Sequence, residues 1–203
     1  MYLRGVERIF MDMVDEPDVV RAIFGHVRDF YMDYAQRIFD AADGQLDMLL
    51  MGDDFGSQNG PLVSPAMWVE FLQEGFAPYA QLARSYGIKV MHHTCGSVKP
   101  IIPLMLANGL DVLQSLQPEA FGMEPATLKQ EFGDRLAFHG AISIQRHLPF
   151  GSVEQVREEV RQRVEALAPG GGHILVTAHN LQADVPIENA RALWEAFRTY
   201  GAY

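Results

Sequence analysis

Apolar residues recur at helical spacing in the first part of the chain. Between about Glu16 and Ala42 they stand mostly three or four positions apart, at Val19, Val20, Ile23, Phe24, Val27, Phe30, Tyr31 and Tyr34. This spacing predicts a helix with one apolar face. The next apolar run, LDMLLMG at 46–52, is short, and two aspartates follow it directly. It predicts a buried strand that leads into a loop.

The same alternation of short apolar runs and helical patterns continues to the end of the chain. Four further runs predict strands at 87–93, 109–118, 135–143 and 172–180. Helices are predicted from Ser64 to about Tyr86, from near Val98, from Pro125 to Phe132, from Ser152 to about Ala168 and from Pro186 to about Tyr200. Capping hydroxyls and first-turn prolines mark these starts, and Ser152 with Gln155 has capping-box spacing.

Five strands, each followed by a helix, predict parallel βα units. Two architectures fit this pattern: an open doubly wound sheet, or a (β/α)8 barrel represented by about its last five units. The sequence contains neither GxGxxG nor GxxxxGKS/T, which weakens the case for a nucleotide-binding loop. Because no linker or low-complexity tract interrupts the pattern, we expect one domain over residues 1–203.

Composition and charge narrow the classes of partner. Hydrophobic residues make up 48% and charged residues 21% of the chain, which is typical of a globular protein. A net charge of −10 disfavours nucleic acid, because its phosphate backbone would be repelled. Without an apolar run of bilayer length or an N-terminal signal, we expect no membrane contact and a cytoplasmic location. The single cysteine, Cys95, excludes an internal disulfide.

Polar side chains stand at the C-terminal end of every predicted strand. In both architectures these ends meet at one edge of the sheet, where active sites lie. In chain order they are Asp53 and Asp54, then His92, His93 and Cys95, then Gln114 and Gln117, then His139, then His179 and Asn180. We therefore expect a catalytic site at this edge, although polar residues also occur wherever strands give way to loops.

His93 and Cys95 form the most specific pair among these residues. Residues i and i+2 of an extended chain point to the same side, so this imidazole and thiolate could hold one metal ion. Zinc suits a mixed nitrogen and sulfur site. His179 is the best candidate for a third ligand, and Asp54 could reach a fourth position. The alternative is that Cys95 is buried packing and His93 a hydrogen-bonded core histidine.

The other polar residues have predicted roles with open alternatives. We assign catalytic roles to Asp54, His139 and His179, and substrate binding to Asp53, Gln114, Gln117 and Asn180. The two aspartates could instead only cap their loop, and the two glutamines could be ordinary polar loop residues. His139 either lines the pocket or lies in the core.

Six segments form a series that is recognisable by its order and spacing. They are YLRG at 2–5, DDFGSQNGPLVSP at 53–65, HHTCGS at 92–97, IIPLMLANGLDVLQSLQP at 101–118, FHGAISIQ at 138–145 and GGGHILVTAHNLQADVPIENARAL at 170–193. The series resembles the uroporphyrinogen decarboxylase superfamily, which includes the cobalamin-linked methyltransferases. The resemblance implies the (β/α)8 barrel, with this chain as about its last five units, and allows a homodimer.

The resemblance implies two branches of activity. The decarboxylases act without metal or cofactor, lack the HxCG motif, and have a histidine at the last strand end, which His179 matches. The methyltransferases use zinc held by the histidine and cysteine of HxCG, matched here by His93 and Cys95, and by a second cysteine at the last strand end. Because His179 stands in place of that second cysteine, the chain combines features of both branches.

We therefore expect a zinc-dependent methyl transfer between a corrinoid carried by a partner protein and a small-molecule acceptor. In this interpretation zinc is a Lewis acid that activates the acceptor. The first alternative is decarboxylation of uroporphyrinogen or another tetrapyrrole, as in porphyrin biosynthesis. The second alternative is an inert barrel fragment that serves as a binding module.

Overall fold

A computed structural model describes residues 3–202 of the chain. Over this range it confirms the predicted alternation of strands and helices. Met1, Tyr2 and Tyr203 lie outside the described residues, and with them the first residue of the YLRG motif. The single domain over residues 1–203 stays a prediction.

Five strands form one parallel sheet whose order follows the sequence, β1-β2-β3-β4-β5. They are β1 (Met48–Gly52), β2 (Lys89–His93), β3 (Val112–Leu116), β4 (Ala137–Ile142) and β5 (His173–Thr177). A doubly wound sheet reverses its strand order at a switch point, and this sheet does not. The order is that of consecutive units of a (β/α)8 barrel, which confirms the predicted fold class.

Helices precede β1 and follow every strand. They are α1 (Val6–Asp15), α2 (Pro17–Ala42), α3 (Pro65–Met67), a π-helical segment (Trp68–Leu72), α4 (Gln73–Ser85), α5 (Ile102–Ala107), α6 (Pro125–Phe132), α7 (His147–Phe150), α8 (Val153–Leu167) and α9 (Ile187–Tyr200). The π-helical segment interrupts what the sequence predicts as one helix to about Tyr86. None of the helices formed by residues 3–202 combines the length and low polarity needed to cross a bilayer. The cytoplasmic location stays a prediction.

Local capping signals explain where several helices begin. The hydroxyl of Ser64 accepts the backbone N–H of Met67 at 3.2 Å, at the start of α3. Ser152 and Gln155 form the predicted capping box of α8, in which each side chain accepts the other residue's backbone N–H. Pro17 occupies the first turn of α2. These contacts satisfy backbone donors that a helix start leaves unpaired.

The helices cover one face of the sheet more completely than the other. Leu113 of β3 and Phe138 of β4 are fully buried in the main core, which also contains Leu128 of α6. Alternate residues of a strand point to the opposite face, which we call the inner face. There Leu50 of β1 and Ile174 of β5 are 52% and 39% exposed. The inner face is therefore open to solvent near both edges of the sheet.

Candidate metal centre

One row of side chains crosses the inner face near the C-terminal edge of the sheet. The strand register aligns Gly52, His93, Gln114, His139 and Ile174 across the five strands. Aligned residues of neighbouring parallel strands point to the same side. The row therefore places Gln114 between His93 and His139, three residues that were predicted for the site.

Two glycines allow the loops after β1 and β2 to touch. A Cβ on Gly96 would lie 2.5 Å from the carbonyl oxygen of Ser57, and a Cβ on Gly56 would lie 2.5 Å from that of Cys95. Atoms cannot approach so closely without displacement, so both positions require glycine. The backbone N–H of Ser97 donates to the carbonyl of Ser57 at 2.7 Å. These contacts hold Cys95 against the loop that follows β1.

His93, Cys95 and His179 bring together three atoms of the kinds that bind metals. The atoms lie within 4.8 Å of one another, and Nε2 of His93 is 3.5 Å from Sγ of Cys95. The two histidine rings are 5.4 Å apart between centroids. Zinc bonds of about 2.3 Å to sulfur and about 2.0 Å to nitrogen, at a tetrahedral angle, separate two such donors by about 3.5 Å. The donor types and their spacing therefore fit a zinc ion.

Asp54 and Gln117 hold the HxCG loop from two sides. Oδ1 of Asp54 accepts the backbone N–H of Cys95 at 2.8 Å and lies 3.8 Å from Nε2 of His93. Oε1 of Gln117 accepts the backbone N–H of Gly96 at 2.8 Å. Asp54 thus lies next to His93 and Cys95, and Gln117 binds the backbone of the loop one residue further on. The catalytic role of Asp54 and the substrate role of Gln117 stay predictions.

His179 is held through its own ring and through the backbone before it. The N–H of Asn180 donates to Nδ1 of His179 at 2.8 Å, so the neutral ring carries its proton on Nε2. The hydroxyl of Ser115 donates to the carbonyl of Ala178, whose N–H donates to the carbonyl of Ile142 at 2.8 Å. To bind an ion through either ring nitrogen, His179 must give up its hydrogen bond with Asn180. Asn180 contacts the site through its backbone, and substrate binding by its side chain stays a prediction.

Burial determines the protonation of several groups around the donors. It raises the pKa of the Cys95 thiol, and the nearby carboxylate of Asp54 raises that pKa further. A bound cation would act in the opposite direction, because it favours the thiolate. Burial lowers the pKa of His139, whose ring is therefore neutral near pH 7, and it raises the pKa of Asp53. His139 is close to the site but lies outside the three-donor cluster.

Asp53 and His92 lie apart from the three donors. His92 is in the core, where its ring stacks on Phe55 at 4.9 Å and its Nε2–H donates to the carbonyl of Asp53 at 3.2 Å. Burial lowers the pKa of His92 to about 4. Both residues line a largely apolar cavity of about 430 Å³ beside β1, together with Phe24, Arg28, Tyr31, Phe71, Phe76 and Tyr79. The sequence does not predict this cavity, because its walls come from segments far apart in the chain.

Two buried hydroxyls at the site were also missed. Thr94 is 1% exposed, and its Oγ1 accepts the backbone N–H of Phe55 at 2.8 Å. Ser115 is 2% exposed and contacts the segment before His179. Both stand next to predicted residues in the sequence, but only their burial distinguishes them from surface hydroxyls. No sequence signal could have found them.

Known proteins share the sequence pattern of this chain. The family model described as Uroporphyrinogen decarboxylase matches residues 1–200. The uroporphyrinogen decarboxylase of Psychromonas ingrahamii is 26% identical over 190 residues, which cover 89% of this chain and 48% of that protein. The uroporphyrinogen decarboxylase of Pseudoalteromonas atlantica is 28% identical over 74 residues, which cover 36% of this chain and 20% of that protein. At most about half the length of each relative is therefore matched.

A solved structure shares the fold. A methyltransferase from Methanosarcina mazei matches 98% of this chain and 54% of its own length, with a TM-score of 0.76 and 22% identity. At this identity the likeness supports the barrel-type architecture alone. The family model, in contrast, covers nearly every residue of the sequence. The chain belongs to the uroporphyrinogen decarboxylase family.

Proposed function

We propose that the chain binds zinc through His93, Cys95 and His179 and supports methyl transfer from a corrinoid carried by a partner protein to a small acceptor such as a thiol. The observation that carries this proposal is the cluster of three donor atoms within 4.8 Å. The separation of 3.5 Å between the nitrogen of His93 and the sulfur of Cys95 matches one zinc ion. The fold shared with a methyltransferase is consistent with it.

The residues around the donors have distinct tasks in this proposal. Zinc would supply Lewis acidity that lowers the pKa of an acceptor thiol. Asp54, 3.8 Å from Nε2 of His93, is placed to accept the proton that leaves this thiol. The thiol sulfur then forms a bond to the methyl carbon, and the electron pair of the broken bond stays with the methyl donor. His139, neutral beside the site, would line the space for the acceptor.

Metal content tests this proposal. The purified chain, incubated with zinc and freed of excess by gel filtration, should hold about one zinc ion, measured by mass spectrometry. Cys95→Ser and His93→Gln should lose the ion while circular dichroism shows a folded chain. His26→Gln, a change at an exposed histidine on α2, is the matched control and should retain it. A folded wild-type chain that holds no zinc would overturn the proposal.

Decarboxylation of a tetrapyrrole carboxylate is the second candidate, and the state of His179 favours it. The hydrogen bond from Asn180 leaves the ring proton of His179 on Nε2. Loss of carbon dioxide leaves an electron pair on carbon. A proton that solvent supplies and that His179 passes on completes the product and leaves the ring neutral. This candidate predicts that uroporphyrinogen decarboxylation survives a chelator and Cys95→Ser but not His179→Gln. A folded chain with neither zinc nor decarboxylation would favour the inert binding module.

A further inference from the structure

We propose that Gln114 is a positioning residue that keeps the proton of His93 on Nδ1 and so presents Nε2 to the metal ion. The inference rests on the zinc site proposed above. It gives Gln114 a task toward a ligand of that site, in addition to the substrate contact predicted from the sequence.

The sheet itself sets the contact between the two side chains. The register pairs His93 of β2 with Gln114 of β3, and both point to the inner face. Nδ1 of His93 lies 3.1 Å from Oε1 of Gln114. An amide oxygen accepts hydrogen bonds and cannot donate them, so Nδ1 is the donor. Both side chains are half-buried, which limits competition by water.

The other ring nitrogen then faces the metal-binding atoms. With its proton on Nδ1, neutral His93 has its lone pair on Nε2, which is 3.5 Å from Sγ of Cys95. Histidines that bind metals generally donate their second N–H to an oxygen, and this contact fixes both tautomer and ring orientation. Gln114 supplies a neutral oxygen, which orients the ring without adding to the negative charge of Asp54 and a Cys95 thiolate.

His179 provides a contrast within the same site. Its Nδ1 accepts a hydrogen bond from the N–H of Asn180, which occupies the one ring lone pair that the neutral histidine could offer to an ion. His93 is therefore the histidine already prepared to bind, and the contact that prepares it comes from Gln114. Removal of the amide oxygen should release the ring from this orientation.

Zinc affinity is the first test. We would compare wild type, Gln114→Leu, Gln114→Glu and Gln130→Leu, by competition with a chromophoric chelator. Gln114→Leu should weaken zinc binding by about 10-fold to 100-fold. Gln114→Glu should restore most of the affinity, because a carboxylate oxygen accepts the same hydrogen bond. Gln130 is exposed on α6, so its replacement by leucine is the matched control and should change nothing. Equal affinities for wild type and Gln114→Leu would overturn the inference.

The second test determines the tautomer of His93 and can be made without metal. Nitrogen-15 NMR of the histidine rings in the metal-free chain should show the proton on Nδ1 in wild type. In Gln114→Leu it should move mainly to Nε2. If that variant does not fold, the tautomer of His93 is compared between wild type and Gln114→Asn, whose side chain is one methylene shorter and should not reach Nδ1. An unchanged tautomer overturns this inference alone, whereas a wild-type chain that binds no zinc overturns the proposed function and the metal role together.

Discussion

Gly96 and Gly87 show how two residues of the same type and conformation differ in what they require. Both have positive φ, 78° and 74°, in the left-handed region that disfavours side chains. A Cβ on Gly87 would meet nothing within 4 Å, whereas one on Gly96 would lie 2.5 Å from the carbonyl oxygen of Ser57. Gly87 needs only conformational freedom, and Gly96 needs space as well.

We expect this difference to appear in stability. Gly87→Ala should lower the free energy of unfolding by about 1–2 kcal/mol through backbone strain. Gly96→Ala should lower it by about 3 kcal/mol or more, because a backbone contact must also be relieved. Urea denaturation of both variants measures the difference, and Gly96→Ala should also weaken zinc binding by displacing Cys95. Equal losses of stability in the two variants would contradict the close packing of the loops.

Buried histidines should link stability to pH. Burial lowers the pKa of His173, whose Nε2–H donates to the carbonyl of Gly140, and lowers that of His92 to about 4. The unfolded chain takes up protons near pH 6.5, before the folded chain does. The contribution of these histidines to the free energy of unfolding should therefore be complete above about pH 6.5 and fall as the pH decreases toward about 4. Urea denaturation across this range measures the slope.

The contribution of one histidine to this slope can be isolated. His173→Gln should make the pH dependence shallower below about pH 6.5, because the unfolded chain then binds one proton fewer. A slope in His173→Gln equal to that of wild type would show that His173 titrates alike in the folded and unfolded chain.

At the scale of elements, α8 holds the end of β4 through one buried carboxylate. Glu159 accepts the backbone N–H of Ser143 at 3.0 Å, and its other oxygen lies 3.0 Å from Nδ1 of His147. Nη2 of Arg163 donates at 3.3 Å to the oxygen that accepts from Ser143, and Nε of Arg163 donates to the carbonyl of Ala141. Through these contacts Glu159 and Arg163 connect α8 to the end of β4 and to the start of α7.

Loss of this carboxylate should destabilise the chain. Glu159→Ala leaves a buried N–H and a partly buried guanidinium without their partner, so we expect a loss of about 2–4 kcal/mol in the free energy of unfolding. Glu158→Ala, at the exposed neighbouring residue of α8, should have little effect, because surface ion pairs contribute little. Urea denaturation compares the two. If Glu159→Ala lowers the free energy of unfolding no more than Glu158→Ala does, the buried carboxylate does not stabilise the contact between α8 and β4.

Local patterns predict elements well, and contacts between elements poorly. The spacing of apolar residues is enough to locate α2, and Ser152 with Gln155 is enough to start α8, because both signals act within one or two turns. The proximity of His93, Cys95 and His179 could be predicted because strand ends of this fold meet at one edge. The contact of Gln114 with His93 depends on strand register, and the π-helical segment Trp68–Leu72 has no local sign, so neither was predicted.

The whole molecule exposes apolar surface on an open sheet. Among the described residues, β1 and β5 each pair with one neighbour only. Leu50 of β1 is 52% exposed, and the exposed rings of Phe30 and Tyr34 stack on α2 with centroids 6.3 Å apart. Unpaired edges and apolar patches favour association with other chains. The predicted homodimer has a physical basis in these surfaces and stays a prediction.

We expect the chain to self-associate as its concentration rises. Leu50→Lys should weaken association, because a charge on an edge strand opposes pairing with another edge. Gln130→Lys makes the same charge change at an exposed polar residue of α6 and should have little effect. Sedimentation velocity over a range of concentrations measures the self-association of the wild type and of both variants. A monomer at every concentration, or equal effects of both changes, would contradict the role of the edge.

The interlocked glycines also bear on how the sequence can change over generations. Gly56 and Gly96 each leave room for the backbone of the other loop. Once a side chain at either position has pushed the loops apart, the other position is no longer crowded, so the second substitution should cost less than the first. Energies at such contacting sites are not additive. A lineage that loses one glycine therefore loses the other at a lower cost, with the strain of the positive φ of Gly96 still to be met, and the two positions should covary among relatives of this chain.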